Sequence, residues 1–166
     1  GFLGYTKVAE AGWSWGNIGF VLSGAAGAFA ASDPADALID LAYAPRQAYR
    51  QNASWVMNRA TEAAVRKLKD GEGNYVWQPG AAAGQAATLL GYPVVEAEDM
   101  PDIAANAFAI AFGDFRRGYL IADRQGIRVL RDPYSNKPYV MFYTTKRVGG
   151  GVMNFEAIKL MKFAGA

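Results

Sequence analysis

The sequence contains neither cysteine nor histidine. Without cysteine there is no disulfide, no thiolate metal centre and no thiol nucleophile. Without histidine the chain lacks the commonest acid–base group at neutral pH and the commonest metal ligand, and Ser–His and Cys–His pairs are excluded. Charge of one sign is also scarce. Seventeen basic and 15 acidic residues leave a net charge of +2, too little for an overall electrostatic hold on nucleic acid. A long apolar run is missing as well. The least polar stretch, Trp13 to Ser32, is broken by glycines, serines and Asn17, whereas a bilayer helix needs about 20 mostly apolar residues. No basic segment precedes it, as a signal peptide requires.

What is present suits one folded domain. The 166 residues are 52% hydrophobic and 19% charged, enough apolar material for a core. The near-neutral total hides a partition. Residues 1–70 carry seven basic and six acidic groups, residues 71–114 six acidic and no basic groups, and residues 115–166 ten basic and three acidic groups. Such a split suits a molecule whose one end meets the other end of a neighbouring copy. The chain opens at Gly1 without an initiating Met, which reads as a fragment or a processed chain.

Periodicity predicts an α+β fold. Ile18–Leu22 reads as a short strand and Gly24–Ala31 as a small-residue loop. Ser32-Asp33-Pro34 reads as a helix start, followed by a stripe of Ala37, Leu38, Leu41 and Ala42 until Pro45. Ala53–Met57 is a strand. Asn58 caps a second helix, with Ala60, Ala64 and Leu68 on one side and Arg59, Arg66, Lys67 and Lys69 facing water. Asp70–Asn74 is a turn. Leu89-Leu90 and Pro93–Val95 flank Gly91 as strand pieces, and Phe108–Phe112 is an apolar strand. Tyr119–Ala122 and Ile127–Leu130 read as a hairpin turning at Asp123–Gly126, and Asp132–Pro138 as a second turn. Tyr139–Val148 and Val152–Phe163 read as adjacent antiparallel strands reversing at Gly149, Gly150 and Gly151, the last of them covered on both faces. No internal repeat or heptad seam is present.

Chemical motifs are few. The Gly149–Gly151 run is followed by Val152-Met153-Asn154, not by the Lys-Ser/Thr of a phosphate loop, and reads as a strand turn. Glu96, Glu98, Asp99 and Asp102 lack the spacing of a helix–loop–helix calcium site and read as a solvated acidic loop; a paired-carboxylate hydrolase would need a cleft the sequence does not define. Arg116-Arg117 and Lys146-Arg147, flanked by Phe115, Tyr119, Phe142 and Tyr143, have the interleaving of single-strand-binding surfaces, but strands with aromatics on one side and charges on the other read the same. Trp13, Trp15, Trp55 and Trp77 read as core or interface anchors.

Three phrases, YVWQPGAAAGQAATLLGYPVVEAEDMPD (75–102), AFGDFRRGYLIADRQGIRVLRDPYSNKPYV (111–140) and FYTTKRVGGGVMNFEAIKLMKF (142–163), together with DALIDLAYAPRQAYRQNASWVMNRATEAAVRKLKD (36–70), resemble the tailed-phage major capsid protein family. This is the Hong Kong 97 type of shell subunit, found also in prophages and gene transfer agents. The resemblance implies a structural, non-enzymatic subunit whose pentamers and hexamers form an icosahedral shell enclosing DNA, located in the virion capsid and assembled in the bacterial cytoplasm. It implies no cofactor, no metal and no membrane. The partners it implies are other copies of the chain, packaged DNA indirectly, and a scaffold, maturation protease and portal in the intact system.

It also divides the chain into a connecting segment (1–29), an axial domain (30–132) and the long strands of a peripheral domain (133–166). The family's N-terminal arm, extended loop and spine helix would precede Gly1, so no crosslinking lysine can be named. Glu96, Glu98, Asp99 and Asp102 are expected in an exposed, poorly ordered loop at the capsomer axis, and Arg116, Arg117, Arg128 and Arg131 on a lateral interface. Two other readings stay open: a nucleic-acid-binding module using the basic C-terminal third, and a small hydrolase using the 96–102 carboxylates.

Overall fold

A computed structural model describes residues 1–69, 72–77 and 88–165. The N-terminal part contains strands β1 (Lys7–Ala9) and β2 (Ile18–Leu22), the small hairpin β3 (Gly24–Ala25) and β4 (Ala28–Phe29), and helices α1 (Asp36–Tyr43) and α2 (Gln47–Arg50). Next come β5 (Ser54–Met57), α3 (Arg59–Arg66), β6 (Thr88–Leu89), β7 (Tyr92–Glu96), β8 (Ile110–Gly113) and the short helix α4 (Phe115–Gly118). Two long strands, β9 (Tyr119–Asp132) and β10 (Met141–Val152), precede the last strand, β11 (Ile158–Lys162). The expected turn at 70–74 includes Asp70 and Gly71, which lie outside the described residues.

Seven strands form one sheet in the order β1-β2-β11-β8-β5-β7-β6. The last strand in sequence therefore sits inside, parallel to β2 and antiparallel to β8. Alternation along the strands builds two cores. Trp55, Met57, Ile110, Phe112, Met161 and Phe163 point to the side where α1 contributes Leu38 and Leu41 and α3 contributes Val65. Ala111 and Leu160 point to the other side, beneath Met100 and a rim of Phe2, Tyr5, Phe108 and Phe155. Full burial of each large side chain contributes about 1.5–3 kcal/mol.

Lys159 is the exception in this interior. Only 3% exposed, it sits between Gly19 of β2 and Phe112 of β8. Its Nζ bonds both carboxylate oxygens of Glu10, at 2.9 and 2.8 Å, and lies 4.6 Å from the centre of the Trp13 ring. A side chain at Gly19 would occupy the space of this ammonium and its partner.

The local expectations hold in part. Asn58 caps α3 by accepting from the Thr61 N–H, but the buried positions of that helix are Thr61 and Val65 while Ala60 is exposed. The stripe of α1 is as expected, but no side chain caps it; Asp33 instead takes φ 49° and its carbonyl accepts from Asp36. Leu90 and Gly91, at φ 51° and 84°, make the two-residue reversal between β6 and β7, the left-handed pair that suits tight hairpins.

The C-terminal third needs two corrections. Asp123–Gly126 is not a turn. It lies inside β9, where the register with β10 shifts around Arg147 and the extra residues are absorbed as a bulge. Gly149, Gly150 and Gly151 do not reverse the chain either. They lie inside β10, facing Ala122, Ile121 and Leu120, and Tyr139–Val148 does not pair with Val152–Phe163. The glycines make room for aromatics: a Cβ on Gly150 would lie 2.7 Å from the Tyr119 hydroxyl, and one on Gly151 3.1 Å from that of Tyr5. The reversal is at the other expected turn, after Asp132. The boundary expected at 132/133 thus cuts a hairpin, because residues 119–152 form one two-stranded ribbon and β11 belongs to the large sheet.

Gly113 ends β8 where the chain leaves the sheet for α4, and a Cβ there would collide with the Ala157 carbonyl just ahead of β11. Gly113→Ala is expected to lower unfolding stability by about 3 kcal/mol. Gly126→Ala, with no neighbouring atom within 4 Å of its Cβ, should stay within about 0.5 kcal/mol. Urea denaturation of both variants checks the pair.

Candidate assembly surfaces

Strand directions give the molecule two distinct ends. β2, β5, β7 and β11 run one way and β8 the other. At one end β2 leads into the β3–β4 hairpin, β5 into α3, β7 into the loop 97–109, and β11 into the C-terminal residues. At the opposite end β8 leads through α4 into the ribbon, and residues 153–157 return to β11.

The loop end holds the expected acidic residues. Glu96 closes β7, and Glu98, Asp99 and Asp102 follow; all four are exposed. The loop is tied down on both sides. Met100 is buried in the second core, and the Phe163 carbonyl accepts from Gly27 and from Asn106. Asn58 contributes most. Its side-chain oxygen accepts from Thr61 N–H at 2.7 Å, while its amide nitrogen donates to the Met100 carbonyl at 3.1 Å and to Asp102 Oδ1 at 2.6 Å. One residue both starts α3 and holds the acidic loop. Sequence reading found the cap but not the tether, because nothing local links Asn58 to a loop 42 residues away.

Of the four arginines expected at a lateral interface, two lie together and two stand apart from them. Arg116 and Arg117 lie on α4 at the root of the ribbon, Arg117 with its Nε 3.8 Å from Asp114 and a guanidinium nitrogen 3.5 Å from the Ala48 carbonyl. They line an open cleft of about 700 Å³ with Asn52, Ser54, Asp114 and Met153. Arg128 and Arg131 stand nine and twelve positions along β9, roughly 30–40 Å away at the usual strand rise.

The ribbon is exposed along both strands, with Ile121, Ile127, Val129, Leu130, Phe142 and Val148 all more than half accessible. At its tip Asp132 accepts from the Ser135 hydroxyl and from the Tyr134 and Ser135 N–H groups. The Ser135 hydroxyl, then the Tyr134 N–H, hold its carboxyl below the ordinary carboxylate value, against a smaller opposing effect of desolvation. Among the described residues no three His, Cys, Asp or Glu side chains are grouped to hold a metal, and no helix is long and apolar enough to cross a membrane.

The phage capsid family model matches residues 1–163. The chain belongs to the phage capsid family. It is similar, at 61% identity, to the capsid of an empty GTA particle computed with C5 symmetry, with a TM-score of 0.90 over 99% of this chain and 56% of that one. The capsid of the native GTA particle gives the same identity, a TM-score of 0.89, and coverage of 99% and 60%. A structure from Mycobacterium phage Patience is similar in fold alone, at 16% identity and a TM-score of 0.52 over 89% of this chain and 45% of that one. No curated protein matches. This capsid chain has the mixed α+β fold of Hong Kong 97 type shells and spans 56–60% of the length of the two GTA chains.

Two outcomes follow for these surfaces. Asn58→Asp keeps the cap acceptor but removes both amide donors and sets a carboxylate against Asp102. It should lower stability at pH 7 by about 1–3 kcal/mol, which urea melts check. The depressed Asp132 carboxyl supports the tip above its ordinary value of 3.8 and loses that support as pH falls below it. Tyr134 and Ser135 amide resonances should therefore shift together below pH 4, and Ser135→Ala should move the midpoint upward.

Proposed function

We propose that the chain is the structural part of a major capsid subunit, whose copies form the pentamers and hexamers of an icosahedral shell around DNA. The observation that supports this most directly is the agreement with a GTA capsid chain at 61% identity across 99% of this one. The sheet with its helices, including β11, serves as the axial domain, and residues 119–152 as the peripheral ribbon. The acidic loop 96–106 faces the capsomer axis, where like charges from five or six copies converge, and the tether through Asn58 fixes its path there. Arg116 and Arg117, at the open cleft beside the ribbon root, meet carboxylates of an adjacent copy. The role is assembly rather than catalysis, in a virion capsid assembled in the bacterial cytoplasm, with scaffold, protease and portal as further partners.

The test is electron microscopy of the full-length gene product expressed alone, with closed shells expected. Arg116→Glu with Arg117→Glu should reduce shell yield at least tenfold and leave the thermal melt of the chain within a few degrees. A product that stays monomeric at all concentrations and salt conditions would sink the reading. A melt that collapses would mark the arginines as internal supports instead.

A further inference from the structure

Lys159 shares its surroundings with a second carboxylate. Where residues 153–157 return to β11, Glu10, Trp13, Ala44, Arg46, Glu156 and Lys159 line one cavity of about 110 Å³. Two cations and two anions meet there, paired one to one. Lys159 makes two contacts to Glu10, at 2.9 and 2.8 Å, whereas Arg46 reaches Glu156 at 3.3 Å. The Lys159 and Glu156 side chains are 3% and 20% exposed, and that of Arg46 76%. The ammonium is therefore the group that needs a carboxylate beside it, while a pair made by an exposed guanidinium contributes little. What Glu10 holds in place is the segment 1–17. Its strand β1 pairs with β2 over three residues, and Tyr5 accepts from the Val152 N–H at the ribbon root. The rings of Tyr5 and Trp15 lie 5.6 and 5.7 Å from that of Phe155, the residue before Glu156.

We infer that these four charges form a partner-exchange switch for the N-terminal segment. In the clasped state Glu10 holds Lys159, and residues 1–17 are joined to β11 and to the ribbon root. In the released state the ammonium crosses the cavity to Glu156, Arg46 gives up that carboxylate, and the segment comes free. Lys159 is paired in both states, so release does not strand a buried charge. A clasp with one carboxylate alone would open only at the cost of an unpaired ammonium in the interior. The exchange needs no movement of β11, because the backbone of Lys159 stays in register with Gly19 and Phe112 while its side chain turns. It is thus a discrete two-state element, of the kind that carries coupling between distant parts of a fold. Since Tyr5 and Phe155 belong to the same contact, the switch sets how firmly the ribbon root is held to the sheet. A ligand or partner that favours one state shifts the other in proportion to its preference. The switch acts within one chain and stands whether or not shells form.

The test is a double-mutant cycle on the full-length gene product, read by urea unfolding and by amide hydrogen exchange. Glu10→Gln should free the segment, raising exchange at Tyr5–Trp15 and at Val152 at least tenfold while Trp55, Ala111 and Met161 in the sheet stay protected. Glu156→Gln alone should change neither region. The two substitutions together should lower the folding equilibrium constant at least tenfold beyond the product of their single effects, because Lys159 then has no carboxylate. Adding Lys159→Met should restore most of that excess loss. Tyr5→Phe removes the Val152 acceptor without touching a charge, and should raise exchange at Val152 equally with or without Glu156→Gln. Additive effects of the two carboxylate substitutions overturn the switch, as does a Glu10→Gln chain whose residues 5–15 keep their protection. A Glu10→Gln chain that does not fold overturns it too, since Glu156 would have failed to take over the ammonium.

Discussion

The position of β11 is the constraint on which the rest of the structure depends. Residues 158–162 fill the place between β2 and β8, so a strand from the start of the chain and one from its middle meet only through a strand from its end. Ile158, Leu160 and Met161 are fully buried there, and the two ladders give the strand hydrogen-bond partners on both edges. Without it β1 and β2 would detach from the sheet, and both cores would lose side chains. The pairing also explains the ribbon. The chain leaves at Gly113 and returns at Ile158 to a neighbouring strand, so everything between is free to project as a hairpin without disturbing the sheet.

Lys159 shows how narrowly this arrangement is specified. An ammonium in the interior is costly unless paired, and its partner, Glu10, comes from the opposite end of the chain. Gly19 supplies the space and Trp13 the ring face. The first dozen residues, which hold only the short strand β1 and two single turns of 3-10 helix, are thereby fixed to the last strand by a charge that cannot be left alone. Tyr5 adds a second connection, accepting from the Val152 N–H at 3.2 Å where the ribbon rejoins the sheet. The N-terminal segment, the final strand and the ribbon root are mechanically one unit.

The two ends of that unit have different characters. At one, carboxylates are presented on a loop anchored by Asn58, Met100 and the Phe163 carbonyl; at the other, a thin ribbon exposes apolar and basic side chains that no described part of the chain covers. A two-stranded ribbon has few internal contacts to hold it in water, so its stability in isolation is low.

Much was legible in the residues themselves. The short strands expected at Ile18–Leu22 and Ala53–Met57, the α1 stripe, the Asn58 cap and the turn after Asp132 follow from local chemistry: periodicity, capping oxygens and turn formers act on neighbours in sequence, and those neighbours are visible. The family was legible too, because GYPVVEAEDMPD, AFGDFRRGY and RDPY occur in order, as was the exposure of Glu96, Glu98, Asp99 and Asp102. The glycine run and Asp123–Gly126 misled for one physical reason. Glycine and turn formers permit a reversal but do not require one, and whether the chain bends or continues depends on the strand opposite. Here Tyr119 and Tyr5 need the space of Gly150 and Gly151, and a bulge absorbs the extra residues of β9. The tether from Asn58 to Asp102, the Lys159–Glu10 pair and the place of β11 join residues 44, 149 and more than 130 positions apart. Local sequence determined the short elements and the family; only tertiary packing decided whether the turn formers bend the chain and which strand lies beside which, because buried charge, backbone hydrogen bonding and aromatic volume are satisfied between distant segments.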